Sequence, residues 1–215
     1  MTLFELAYSH FLYQQITKYD KDLNDLFSYI NGSINLSNAD HVYKLLVWLN
    51  KWGCRHISKE AYTTLIAKIQ SWWNKNEDEI VCIHSDSEKQ IIKLFDSLSN
   101  ISINKSKVSI HFGSTAAAKT LFVINKNVFI PWDNKIREKY ENTGKGYYDF
   151  LYNARGMLDD VYNECNKKGL NWQEIIERYF SVYISDLKLV DEYFWVTKTK
   201  NLIVDKSILM KYIEL

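Results

Sequence analysis

The residue of this chain best placed for chemistry is Asp133, in the stretch "NVFIPWDNKIREKY" from Asn127 to Tyr140. Two positions before it stands Pro131, the only proline in 215 residues. Proline fixes its own φ and lacks an N–H, so it is tolerated at the first turn of a helix and not inside one. Pro131 therefore predicts a helix start, with Val128–Ile130 packing inward and Trp132 and Asp133 aimed at whatever lies at the helix mouth. An aspartate there either bonds the open amides of its own first turn, as a cap stabilised by the helix dipole, or presents its carboxylate to a ligand.

Some twenty residues upstream, Gly113 opens "STAAAKTLFVI". The small side chains of Thr115 to Ala118 would let another backbone or a phosphate come close to that helix. Charge is segregated toward the same region. Asn104 to Lys145 holds seven lysines and Arg137 against Asp133, Glu138 and Glu141, a local charge of +5 that leaves −4 for the rest of a chain whose total is +1. An anionic partner would be met here, with Lys107, Lys119, Lys135 and Arg137 supplying positive charge.

A second constellation is "WLNKWGCRHISKE", residues 48–60. Trp48 and Trp52 lie one helical turn apart, and Arg55 and His56 follow the helix end, where they complete a polar site or offset the dipole. The pair in "SWW" at 71–73 reads as core or as an interface ridge. Cys54, Cys82 and Cys165 are too few and too scattered for a disulfide framework or a four-cysteine cluster, and the five histidines lie singly, so neither a metal nor another cofactor is expected. Elbow, phosphate-loop and dinucleotide glycine motifs are all missing from the sequence.

The elements that must carry these residues are helices. One proline and seven glycines are too few to punctuate a turn-rich β sandwich. Three- and four-residue apolar spacing predicts helices over Leu3–Ile16, Asp22–Ile30 and Asp40–Trp52, the last stopped by Gly53. A long helix follows from an N-cap at Ser58 through Trp73, and another from a capping box at Ser85 and Glu88 to about Ser99. "ISINKSKVSIHF" permits a strand but is read as a short helix from Asn104. "DNKIREKY" continues the helix of Asp133, Gly146 to Lys168 forms a long helix ended by Gly169, and Asn171 with Glu174 opens "WQEIIERYFSVYI". The C-terminal "NLIVDKSILMKYIEL" is a last helix or a short strand plus helix. With no linker or repeat, residues 1–215 are read as one helical unit, all-α, a multi-helix orthogonal bundle with at most two lobes. The longest apolar runs fall far short of a membrane span, and the N-terminus lacks the features of a signal peptide, so a cytoplasmic location is expected.

A glycine opening a small-residue helix, followed about twenty residues later by an aspartate at the next helix start, resembles the helix-hairpin-helix DNA glycosylase superfamily. In that family a Leu-Pro-Gly-x-Gly-x-Lys-Thr-Ala hairpin binds a DNA phosphate, and a catalytic aspartate follows. Laid without gaps, "SIHFGSTAA" falls on the hairpin, with Gly113 as its second glycine, and "PWDNKI" puts Asp133 in the catalytic place. Ile110 and His111 replace the hairpin's proline and first glycine, and Thr115 stands where lyase-type members carry the Schiff-base lysine, with Lys119 one turn further on. The four-cysteine iron–sulfur motif of some members is missing too. The resemblance spans about residues 100–145, with 104–145 as the hairpin-like and aspartate-bearing segment, and implies a divergent, monofunctional glycosylase-like or DNA-binding protein. Gly113, Ser114, Thr115, Lys119, Lys135 and Arg137 would hold DNA phosphates, Trp132, Tyr147 and Tyr148 would wall a base pocket, and Asp133 would stabilise the sugar cation or activate water. The rival expectation is a non-catalytic helical protein that binds a protein partner, or a second copy of itself, through a tryptophan-rich surface.

Overall fold

The structure, a computed structural model, describes residues 1–84, 86–105, 108–179 and 185–207. The cap expected at Ser85, Lys107, residues 180–184 of the "WQEIIERYFSVYI" pattern and the final eight residues lie outside the described ones. Among the described residues the chain is all-α as expected, with one two-stranded hairpin.

Local chemistry sets the helix limits. α1 (Leu3–Ile16) begins at Thr2, whose hydroxyl accepts the Glu5 N–H while the Glu5 carboxylate accepts the Thr2 N–H. α2 (Tyr19–Tyr29) leads to α3 (Ala39–Lys51), capped by the Asn38 side chain. α3 stops where Gly53 takes φ 94°, a left-handed conformation that lets the Cys54 N–H reach back 2.9 Å to the Leu49 carbonyl. A 3₁₀ turn (Lys59–Ala61) feeds α4 (Tyr62–Val81), and α5 (Glu88–Ser99) follows. Then come β1 (Ser102–Lys105), β2 (Val108–His111), α6 (Ser114–Ile124), the single turn α7 (Asn134–Arg137) and the long α8 (Gly144–Lys167). α9 (Trp172–Tyr179) and α10 (Asp186–Phe194) complete the set, and α10 runs on into a π-helical turn, Trp195–Thr199.

α6 is the inner helix. Ala116, Ala117 and Ala118 are fully buried, and the helix packs against α3 and α5. The small residues thus serve close helix packing. α5 also lies along α8, while α10 is held between α1 and α8. One apolar cluster runs through nearly all these elements.

Four expectations are corrected. Within "ISINKSKVSIHF", Ser102–Lys105 and Val108–His111 pair as antiparallel strands with Ile103 opposite Ile110, because β-branched residues alternate there and Ile103 is buried. The element before Gly113 is therefore a strand, and no helix-hairpin-helix is formed at this point. Ser58 caps nothing: its hydroxyl has no partner, and α4 starts only at Tyr62, after the 3₁₀ turn. α7 lasts one turn instead of reaching Tyr140, since Thr143 takes the N-cap of α8 by accepting the Gly146 N–H and the chain must turn to get there. Finally, the tryptophans do not form a surface. Trp48, Trp52, Trp72, Trp73, Trp132 and Trp195 are all at most 7% exposed, and Trp172 is half-buried.

Candidate functional site

An open cleft of about 470 Å³ is built from four separated chain segments. Gly53, Cys54 and His56 form one wall, from the α3 end. Gly113, Ser114 and Thr115 at the start of α6 form the second. Asp133, Asn134, Lys135 and Arg137 contribute the third, and Thr199 of the π-helical turn closes the fourth side. Both constellations singled out in the sequence therefore meet in one place.

Asp133 occupies the N-cap position of α7 with extended dihedrals, yet its side chain makes no capping bond. Its backbone carbonyl accepts the Ile136 and Arg137 N–H groups, and its carboxylate instead accepts from the Lys119 ammonium at 2.6 Å. That ammonium is almost sealed from water, while the Asp133 side chain keeps 28% of its surface exposed. Lys119 also donates to the Trp52 carbonyl at 2.5 Å and lies over the Trp52 ring. Burial alone would lower the Lys119 pKa, but Asp133, helped by Cys54 and Asp191, outweighs burial and holds it above the usual lysine value. Lys119 is thus a protonated counter-ion, and as an ammonium it has no lone pair for a Schiff base.

The segment before Asp133 is fixed by the core. The Tyr147 hydroxyl donates to the Ile130 carbonyl at 2.9 Å and accepts the Ile130 N–H at 3.2 Å, clamping the strand-like approach to Pro131. Trp132 packs between α5 and α8 against Phe95, Tyr147 and Phe150, with the Arg137 guanidinium over its ring. Trp132 and Tyr147 have no exposed surface, so they are struts under Asp133 and not walls of a base pocket. Tyr148 lies tilted against Tyr152 beneath Lys145 and does not line the cleft either. The aromatic pocket expected from the resemblance is not assembled by these three residues, because the apolar run that aims Asp133 outward needs them inside.

The other named residues divide. The Gly113 N–H donates to the Ser99 carbonyl at 2.9 Å and is not open to a ligand. Gly113 itself takes φ 83°, and a Cβ there would meet the His56 ring at 3.6 Å. Ser114 and Thr115 begin α6, where helix geometry leaves the first amides without intrahelical acceptors. The Thr115 hydroxyl reaches Asn134 across the cleft at 3.5 Å. Lys135 is exposed and paired with Glu138, whereas Arg137 is half-buried, bonded to Asn134 and Asn142, and has its pKa lowered by burial against the pull of Asp133. His56 donates from Nε2 to the Phe112 carbonyl at 2.9 Å. Cys54 is buried, and burial pushes its thiol up to about 11, so it is an inert wall and not a nucleophile.

The Lys119–Asp133 pairing and Thr199 escaped the sequence reading. The first has no spacing signature at fourteen residues across a turn, and the second sits 66 positions from Asp133.

Elsewhere, one grouping of metal-ligand types occurs among the described residues: His10, Asp20 and Glu192, with ligand atoms within 4.8 Å of one another. The buried Lys188 ammonium, 2.9 Å from Glu192 and 3.6 Å from Asp20, supplies the positive charge there. No helix among the described residues is long and apolar enough to cross a membrane.

No protein family, curated protein or solved structure matches this chain.

Proposed function

We propose that the cleft is the site of a divergent, monofunctional DNA glycosylase-like activity in which Asp133 serves the breaking N-glycosidic bond. The observation that carries this reading is that Asp133 spends its carboxylate on no cap and turns it into an open cleft, beside a buried ammonium. What further supports it is the agreement in order and spacing between Gly113, the α6 start and Asp133 and the glycosylase pattern. The hairpin motif contributes nothing, since a β-ribbon stands in its place.

In this reading the C1′–N bond breaks with its electron pair leaving on the base, and the Asp133 carboxylate, a fixed negative charge, stabilises the sugar cation. Water then adds its oxygen to C1′. The proton that water loses passes by way of Asp133 or solvent to the base nitrogen that took the electron pair, so the products are neutral free base and an abasic sugar and Asp133 is left as it began. Lys119 orients the carboxylate, and the monofunctional assignment follows from Thr115 standing where lyase-type members carry the Schiff-base lysine. Arg137 and the first amides of α6 face the phosphates on either side.

The test uses duplexes each carrying one lesion (uracil, an alkylated purine or an oxidised purine). Strand scission should appear only after alkali, borohydride should trap no covalent adduct, and Asp133→Asn should abolish base release while circular dichroism shows the fold retained. Equal activity of the variant, or neither base release nor gel retardation with any duplex at low salt, overturns the proposal.

A further inference from the structure

Two carboxamides in the cleft have their orientation dictated by one neighbour. Arg137 donates through Nη1 to Oδ1 of Asn142 at 2.5 Å and through Nη2 to Oδ1 of Asn134. A guanidinium can only donate, so each carboxamide must turn its oxygen toward Arg137 and its Nδ2 group away. Arg137 is itself held half-buried over the ring of Trp132, which the core fixes in place. Both asparagines are exposed and line the cleft beside Asp133. Neither Nδ2 group has an acceptor among the described residues. The cleft thus carries two accessible NH₂ groups whose direction is set before any ligand arrives, which lowers the rotamer entropy lost on binding.

The rest of the lining narrows what those donors can meet. Among the described residues that line the cleft none is Phe, Tyr or Trp. A cationic alkylated base is held best over aromatic faces, which this cleft does not offer. Asp133 is already matched by Lys119, so Arg137 and the positive end of α6 leave the surroundings unfavourable to a cation. A base rich in amino groups would set donor against donor. On the facing wall, His56 commits its Nε2 proton to the Phe112 carbonyl, and Nδ1 is left as an acceptor for a base N–H. The complement of this array is a neutral base with carbonyl oxygens and a ring N–H.

We infer that the cleft selects its base by carbonyl oxygens, a pyrimidine dione of the uracil type, with Asn134 and Asn142 as specificity-determining residues. The inference rests on the glycosylase-like reading and names the base on which that chemistry acts. The two Nδ2 groups donate to the carbonyl oxygens, Arg137 keeps both amides in the donating orientation, and Asp133 stays at the sugar. A site built to bond a carbonyl discriminates sharply against a base that lacks one, because its donors are then left unpaired.

The test follows single-turnover base release at saturating enzyme from duplexes carrying uracil, ethenoadenine (a purine lesion with no carbonyl) or an oxidised purine, by wild type and Asn142→Asp. Aspartate keeps an oxygen for Arg137 and removes the NH₂ group, so Tm should hold or rise. Wild type should release uracil at least about tenfold faster than either purine. Asn142→Asp should slow uracil release by about tenfold, since a hydrogen bond is lost and an acceptor then faces an acceptor. Release of either purine as fast as uracil, or an unchanged uracil rate in the variant, overturns the donor assignment while the glycosylase-like reading stands. A fall in Tm in step with the rate makes Asn142 structural and overturns the assignment as well. If wild type frees none of the three bases, the assignment falls together with the glycosylase-like reading.

Discussion

Replacing Asp133 by asparagine separates an ion pair from a helix cap by magnitude. Asparagine is as good an N-cap as aspartate, so if Asp133 only capped α7 the substitution would cost close to nothing. The structure says otherwise. The Lys119 side chain is 4% exposed and its ammonium lies 2.6 Å from the Asp133 carboxylate. Removing one partner of a buried pair typically costs 3–5 kcal/mol, because the other charge stays buried without compensation. Asp133 keeps 28% exposure, which screens part of the interaction, and asparagine still offers Lys119 an acceptor oxygen. These corrections bring the expected loss to about 2–3 kcal/mol, roughly 5–10 °C in Tm for a chain of this size. Lys119→Met takes away the ammonium and leaves the Trp52 carbonyl without its donor, for about 2 kcal/mol. The double variant should cost little more than the worse single one, since nothing charged is then stranded, giving a coupling of about 1–3 kcal/mol in a urea-unfolding cycle. Single costs that add to within about 0.5 kcal/mol, or an Asp133→Asn variant as stable as wild type, would refute the pairing and with it the argument that the carboxylate is aimed at the cleft.

Two further outcomes follow from buried groups elsewhere. Asp191 on α10 faces Lys188 at 3.4 Å, with Glu192, Tyr13, Asp20, Lys119 and Asp133 also acting on its surroundings; burial pushes its carboxyl up to about 7 against the opposing pull of Lys188. Its folded pKa exceeds its unfolded one, so the folded state holds the extra proton, and this contribution to stability is full below about pH 4 and lost as pH rises to about 7. Asp191→Asn should remove that slope, and subtracting its urea-derived stability from wild type between pH 4 and 8 should show wild type losing ground steadily; a flat difference means Asp191 titrates normally. In α8, a Cβ at Gly146 would lie 1.9 Å from the Glu141 carbonyl oxygen, whereas at exposed Gly156 it would meet nothing within 4 Å. Gly146→Ala should therefore cost about 1–3 kcal/mol or more and Gly156→Ala should gain up to about 1 kcal/mol, with thermal melts of similar sign at both sites counting against this backbone contact.

Much of the scaffold was legible because its signals are local. Apolar spacing and stop residues such as Gly53 and Gly169 act within a turn or two, and the helices they predict are present. The reading failed where two local codes competed. In "ISINKSKVSIHF" a short helix and alternating β-branched residues both fit, and pairing of Ile103 with Ile110 beneath the bundle decided for the strand. It failed again at Trp132 and Tyr147, since one residue type serves equally to line a pocket or to fill a core, and only the neighbours tell which.

The sequence by itself determined that this chain is a helical bundle, that a helix starts after Pro131, and that basic charge gathers around Asp133. Those properties depend on residues close together along the chain. Only the tertiary structure decided that Asp133 answers to Lys119 and not to its own helix, that the end of α3 and the π-helical turn join it in one cleft, and that the tryptophans lie inside. Ion pairing, burial and cleft walls depend on distances between segments up to 146 positions apart in sequence, from Gly53 to Thr199, which packing of the whole core sets and no local pattern encodes.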